Sequence, residues 1–340
     1  MIRKRASDAG ANEARFPLAT LVGLLVLLLP VVCAGQQSDA VARYPQRPIR
    51  LIVQYPPGGS ADILARILGQ KLAGNLHQQV VVDNRPGGGG KVASEVTARA
   101  NPDGYTLLIT LSSLVTTAAV NPSAEYNPVR DFTPILLFAR SPYRIVVNPA
   151  VPANTIQEWF ALVKAKPGQL NYGTAGTGSA VHLSVELFKI MAGVNIVHVP
   201  YKGTGPAMTD LISGQIQMMF GGTLSSLPHV KAGRIRALAV TSLQRRADSP
   251  DLPTVAETIL PGYESGEWFG VIGPAGLPRP LLARIHAELT RVTKDPDVRE
   301  RLSADGLDFA AGSSDEFAAL IKRDFAKWMR VVKETKMTPD

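Results

Sequence analysis

Ile49-Arg50-Leu51-Ile52-Val53-Gln54-Tyr55-Pro56-Pro57-Gly58-Gly59-Ser60-Ala61-Asp62 runs from an apolar strand through a glycine-rich bend into the start of a helix. A second segment repeats the design, Leu170-Asn171-Tyr172-Gly173 followed by Thr174-Ala175-Gly176-Thr177-Gly178-Ser179. Glycine lets a backbone approach a ligand closely. A serine at such a bend can cap the next helix, whose free N–H groups favour an anion. Two such turns facing each other would grip a small carboxylate from both sides.

From Pro48 onward, strand-like and helix-like stretches alternate. Residues 49–54, 79–82, 106–110, 144–147, 170–172, 196–199, 216–220, 235–241 and 269–272 read as strands, several of them nearly continuous Val, Ile and Leu. That pattern predicts strands buried on both faces of a parallel sheet. Ile63, Leu64, Ile67, Leu68 and Leu72 make one apolar stripe over 60–76. Ile156, Trp159, Phe160 and Val163 do so over 155–166, which stops at Pro167-Gly168, as do Leu183, Leu187 and Ile190 over 182–191. Two long helices are expected over 280–293 and 315–333, the second carrying Phe317, Leu320, Ile321, Phe325, Trp328 and Val332. The alternation predicts an α/β architecture. Residues 143–264 hold their own β-α repeats. Residues 43–142 plus 265–340 are therefore expected to form one discontinuous domain, with 143–264 inserted as a second.

The first 34 residues read differently. Arg3, Lys4, Arg5 and Arg15 precede an apolar run from Leu18 to Val32 that ends in small residues. This is the pattern of a secretory signal peptide, with cleavage expected after Ala34 or as late as Ala42. The run is short for a membrane span, which argues against a retained anchor. Cys33 is the single cysteine, and in a lipoprotein it would be acylated. Val32, however, stands where a small residue usually precedes such a cysteine. Cleavage beyond Cys33 leaves a mature protein that needs no disulfide for export.

The 36 Lys and Arg against 28 Asp and Glu give a net charge of +8, of which +6 remains beyond residue 34. No basic block with interleaved aromatics remains, which argues against nucleic acid, and the mild positive balance favours anionic ligands. Enzyme signatures fail residue by residue. Gly90-Lys91 has Arg85 and Val92 where a phosphate-binding loop needs Gly and Ser or Thr. Neither Ser60, followed by Asp62, nor Ser179, between Thr177 and Val181, sits in a nucleophile elbow. The Gly173–Gly178 spacing is not the dinucleotide fingerprint. His77, His182, His198, His229 and His286 show no metal-ligand spacing, so neither metal nor cofactor is expected. His182 stands apart because it follows Ser179 by one turn; it either meets the ligand or stabilises the helix.

Each loop residue has a structural reading beside its binding one. Pro57-Gly58-Gly59-Ser60 is either a pre-ordered row of N–H donors or a tight connection, and a side chain at Gly58 is expected to obstruct the approach to ligand. Asp62, in a first helical turn, has a structural default. Asn84 and Arg85 contact ligand or brace the loop. Ser112 and Ser113 follow a strand, where an α/β sheet presents its ligand groups. Lys202 either pairs with an anion or is merely exposed, and Trp268 and Phe269 either wall a cleft or pack in a core. The candidate ligand-binding set is Tyr55, Pro57, Gly58, Gly59, Ser60, Asn84, Ser112, Ser113, Thr174, Gly178, Ser179, His182, Gly203 and Gly222.

Several blocks in order resemble one family, the Bug proteins, which are substrate-binding proteins of tripartite tricarboxylate transporters. They are Tyr44-Pro45, Arg47-Pro48-Ile49-Arg50-Leu51-Ile52-Val53, Tyr55-Pro56-Pro57-Gly58-Gly59-Ser60-Ala61-Asp62, and Val82-Asp83-Asn84-Arg85-Pro86-Gly87. Asn101-Pro102-Asp103-Gly104-Tyr105-Thr106-Leu107-Leu108, Leu170-Asn171-Tyr172-Gly173 and His198-Val199-Pro200-Tyr201-Lys202-Gly203 continue the series. Gly233-Arg234-Ile235-Arg236-Ala237-Leu238-Ala239-Val240-Thr241 and Leu252-Pro253-Thr254-Val255-Ala256-Glu257 complete it. The resemblance implies a two-lobed periplasmic binding protein of the type II kind, with a cleft between lobes joined by a hinge. It implies that the loops at 57–60 and 174–179 pinch a carboxylate, and that the partners are a small carboxylate and the permease subunits of such a transporter, or a sensor to which its presence is signalled. The protein is expected to be a monomer in the periplasm. One departure is Gly221-Gly222, where some relatives carry an acidic or amide residue; an ammonium group on the ligand is then not expected to be required. The alternative functions are an exported enzyme acting on an anionic substrate, through His182 or Lys202, and a scaffold without ligand.

Overall fold

A computed structural model of the chain describes residue 41 and residues 43–304, 306–310 and 312–335. The expected signal peptide, Cys33 and the cleavage position at Ala42 lie outside the described residues. The chain divides into two units, Met1–Tyr44 and Pro45–Asp340, and the strands and helices that order the molecule belong to the second.

Three parallel strands open the fold, β1 (Ile49–Val53), β2 (Val80–Asn84) and β3 (Thr106–Leu111), joined by the helices α1 (Ser60–Leu76) and α2 (Lys91–Ala98). Helix α3 (Ser113–Val120) leads to a long strand, β4 (Phe132–Val147). The chain continues with α4 (Ile156–Ala165), β5 (Asn171–Thr174), α5 (Ala180–Ala192), β6 (Val197–Pro200), α6 (Thr204–Ser213), β7 (Met218–Gly222), α7 (Thr223–Lys231) and β8 (Arg236–Val240). It returns through α8 (Val255–Thr258), β9 (Gly266–Pro274), α9 (Arg279–Lys294), α10 (Pro296–Ala304), β10 (Asp308–Phe309) and α11 (Ser314–Thr335).

The strand order is β2-β1-β3-β9-β4-β7-β5-β6, with β8 and β10 also on β4. The expectation of a parallel sheet needs correction. β1, β2 and β3 are parallel, as are β5, β6 and β7, but β9 runs antiparallel to β3 and β4, and β4 antiparallel to β7 and β8. Fully buried antiparallel strands show the same continuous apolar runs, so periodicity alone does not separate the two cases.

β4 connects two lobes. Its residues 132–142 pair with β9, whereas 143–147 pair with β7 and β8. Periodicity in the sequence reveals only the last four residues of this sixteen-residue strand. Pro134 and Pro142 hide the rest, because proline cannot donate to a ladder; the register is irregular just after Pro134, between 134 and 139, whereas Pro142 pairs with Gly266 in regular register.

Each lobe has its own core. In the first, Ile52, Leu108, Leu114 and Val115 pack with Trp268, Phe317, Leu320 and Trp328, so α11 closes over elements laid down 200 residues earlier. In the second, Tyr143, Trp159, Tyr172, Phe188, Phe220 and Tyr263 fill one face of the strands. Val146, Met208, Leu211, Met219 and Ile235 fill the other.

Candidate functional site

The two glycine-rich bends face each other across a cavity of about 20 Å³, roughly the room of one water. Gly59, Ser60 and Ala61 line one side; Ala175, Ser179, Ala180 and Val181 line the other. Tyr55, Leu111, Ser113, Thr204 and Glu267 complete the wall. Helices α1, α3, α5 and α6 all begin there, since Ser60, Ser113, Ala180 and Thr204 are their first residues. Unpaired N–H groups and aligned dipoles of four helices thus concentrate positive potential where no basic side chain lines the wall.

The two serines play different parts. Ser179 caps α5, its Oγ accepting the His182 N–H at 3.3 Å. Ser60 does not cap α1: Gly59 holds the cap position and Ser60 is the first helical residue, with its hydroxyl beside Gly222. Ser113 Oγ donates to Gln54 Oε1 at 3.1 Å, and the buried Gln54 side chain also accepts the Leu111 N–H. Tyr55 donates to the Gly89 carbonyl at 2.9 Å, and burial raises its phenol far above the ordinary range.

Contacts between lobes run through glycines. Thr117 Oγ1 meets the carbonyls of Gly89 at 2.9 Å and Gly178 at 3.3 Å. A Cβ on Gly203 would stand 2.6 Å from Pro56 Cδ, and one on Gly59 would stand 2.9 Å from Thr204 Oγ1. At Gly222 a Cβ would meet Glu267 Oε1 at 2.9 Å and Ser60 Oγ at 3.0 Å.

Other expected ligand residues serve as braces. Asn84 Nδ2 donates to the Tyr55 carbonyl at 2.8 Å and to Asp62 Oδ1 at 3.1 Å, which ties the first loop down. Asp62 accepts the Gly58 N–H and pairs with Arg66. Pro57 and Gly58 are exposed and outside the cavity, on an outer groove with Gly205 and Pro206. A Cβ on Gly58 would meet no atom within 4 Å; glycine is favoured there by φ +91°, so the expected steric obstruction belongs instead to Gly59 and Gly203. Thr174 Oγ1 accepts the Gly176 N–H and meets His198 Nε2 at 2.7 Å. Gly178 spends its N–H on His182 Nδ1 at 3.2 Å, and the His182 ring stacks on His198 at 4.0 Å. His182 therefore shapes the second bend. Ser112 is buried just behind the wall, Lys202 is exposed, and Trp268 and Phe269 are core residues, with Trp268 Nε1 donating to Asp324.

Glu267 is absent from the residues expected from sequence. It lies on β9, 8% exposed, and burial pushes its carboxyl up to about 8. Its only linear signal is an acidic residue inside an apolar strand, directly before Trp268. Among the described residues no group of three or more His, Cys, Asp or Glu is placed to hold a metal ion, and no helix is long and apolar enough to cross a membrane.

Comparisons with known proteins agree with this geometry. Residues 64–337 match the tripartite tricarboxylate transporter family receptor. The chain is 35% identical over 315 residues to protein BugT of Bordetella pertussis, covering 92% of this chain and 97% of that one. Among solved structures, Rpa4515 of R. palustris with adipate has a TM-score of 0.84 at 33% identity, covering 87% of this chain and all of that one. MatC of Rhodopseudomonas palustris with bound malate has a TM-score of 0.81 at 30% identity, covering 85% and all. The matched family is one of transporter receptors, which removes the alternative of an exported enzyme.

Proposed function

The chain belongs to the tripartite tricarboxylate transporter receptor family, and from that premise we propose that it is a periplasmic receptor that closes two lobes on a small carboxylate and delivers it to the permease subunits of such a transporter. The observation that carries the ligand class is the meeting of four helix N-termini at a wall without basic side chains. The adipate and malate in related structures support the same class. The proposed lobes are 43–142 plus 265–340, and 143–264, with hinge crossings in β4 near Pro142 and at Ser265-Gly266. In support, Gly266 approaches the Ser141 carbonyl so closely that a Cβ would stand 2.7 Å from it. The contacting residues proposed for the ligand are Ser60, Ser113, Ser179 and the N–H groups of the helix starts. The receptor is proposed to act as a monomer, exported by residues 1–34.

A thermal-shift screen against organic acids tests this reading. A true ligand at 100-fold excess over Kd stabilises by about 2.7 kcal/mol and is recovered unchanged. Succinate, citrate, adipate, malate and benzoate-type acids form the panel, with glutamate as the zwitterion. No stabilisation by any of them refutes the carboxylate receptor, and tight binding of glutamate alone refutes a site that needs no ammonium.

A further inference from the structure

Among the described residues, Glu267 is, apart from the Tyr55 phenol, the only ionisable side chain that lines the cavity. Gly222 makes room for it: any Cβ there would press on Oε1. An acidic group therefore does stand beside Gly222, supplied by β9 rather than by the strand that ends at 222. Among the described residues, no side chain donates a hydrogen bond to this carboxyl and no cation pairs with it. On the cavity side it faces two phenols, Tyr55 after β1 and Tyr143 on β4, with the hydroxyls of Ser60 of α1 and Ser225 of α7 nearby. Behind them lie the buried Tyr143 hydroxyl and Ser112 Oγ, which neighbour one another. On the other side Glu267 lines an open groove with Arg140 of β4, Glu264, Asp308 of β10, and Arg323, Asp324 and Lys327 of α11.

Burial favours the protonated form of this unpaired carboxyl, because it penalises the charged form and no side-chain cation or donor offsets the penalty. Burial also holds both phenols far above their ordinary range, so neither titrates where Glu267 does. Ionised, Glu267 would oppose an anionic ligand in a cavity with no basic side chain. Neutral, it offers an O–H donor and leaves the field of the four helix N-termini, each about half a unit charge, for the ligand.

We propose that, when the cleft widens from its closed room of about one water, Glu267 meets the ligand as the neutral acid, donating its O–H to one carboxylate of a dicarboxylate whose other carboxylate is held by the N-termini of α1 and α5. This rests on the carboxylate-receptor reading and narrows it to two-headed acids. Burial pushes the free carboxyl up to about 8. Affinity is therefore full below that pH and falls as pH rises through it, since the bound state requires the proton.

Calorimetry with four- to eight-carbon dicarboxylates, adipate and malate among them, and with matched monocarboxylates tests this at pH 6.5 and 9.5. The expected result is a dicarboxylate Kd weaker by on the order of 30-fold at pH 9.5. Glu267→Gln, whose amide is a donor that does not titrate, should show no alkaline loss of affinity. Independently of any variant, titrations of wild type at pH 9 in buffers of different ionisation heat should report proton uptake on binding. Wild-type affinity independent of pH, absent proton uptake, or loss of binding in a folded Glu267→Gln each overturns the proposal. Binding of monocarboxylates alone overturns it while leaving the receptor reading intact, and binding of neither class overturns both.

Discussion

Gly203 and Pro56 meet across the cleft so closely that a Cβ on Gly203 would lie 2.6 Å from Pro56 Cδ. Gly203 also has φ +151°, a conformation that favours glycine. The glycine thus sets how near the first bend can come to the start of α6. Gly203→Ala should prop the lobes apart, weakening ligand affinity tenfold or more by calorimetry. Gly58→Ala is the control: nothing lies within 4 Å of its Cβ, so strain at φ +91° should lower stability by roughly 1 kcal/mol and leave affinity nearly unchanged. Equal binding losses in the two variants would refute closure through Gly203.

Ser179→Ala removes the cap of α5 and loosens the bend that carries Gly178. Loss of such a cap costs about 1 kcal/mol, a fall of a few degrees in Tm. Affinity should weaken modestly, because the N–H groups of α5 remain; a loss of a hundredfold would assign the hydroxyl a direct ligand contact instead.

Arg144 is almost wholly buried, and its carboxylate partner is Asp248 at 3.3 Å. Arg246 joins the same carboxylate to Asp308 on β10. Burial alone would raise the Asp248 carboxyl, but Arg246, Ser249 and Arg144 outweigh it and hold it below its ordinary value. A depressed carboxyl contributes stability above its unfolded value of about 3.9, and that contribution is lost as pH falls through the lower folded value. Asp248→Asn strands the Arg144 charge and should cost about 3 kcal/mol in urea denaturation at pH 7. The gap to wild type should close in acid. A gap that stays constant to pH 3 would show that the charge is not its source.

Gly270 of β9 lies under α11, where a Cβ would stand 2.3 Å from Phe317 Cζ and 3.0 Å from the Leu136 carbonyl. Gly270→Ala should destabilise by about 1–3 kcal/mol through overpacking, with the helix pushed off the strand. Adding Phe317→Leu should recover part of the loss, a coupling readable in a double-mutant cycle. Strict additivity would mean the two sites do not share the strain.

Where one short signal determined a local structure, it was legible in the chain. The apolar stripe of 60–76 and the bends before Ser60 and Ser179 carry their own period and their own glycines, and they face one another as expected. Asn84 and His182 were not legible in the same way, because their polar atoms are used up by Asp62, Tyr55 and Gly178, partners that only folding brings near. Strand β4 was legible over a quarter of its length because its prolines mask a ladder that depends on β9, more than 100 residues away.

The sequence by itself determined the strand–helix alternation, two glycine-serine bends able to bind an anion, and a family resemblance that holds. These are properties of local periodicity and backbone freedom. Tertiary structure alone decided that β9 runs antiparallel between β3 and β4, that four helices start at one cavity, and that Glu267 stands beside Gly222. The physical reason is that the protonation of a carboxyl depends on what is buried around it, and no neighbour in the chain records that burial.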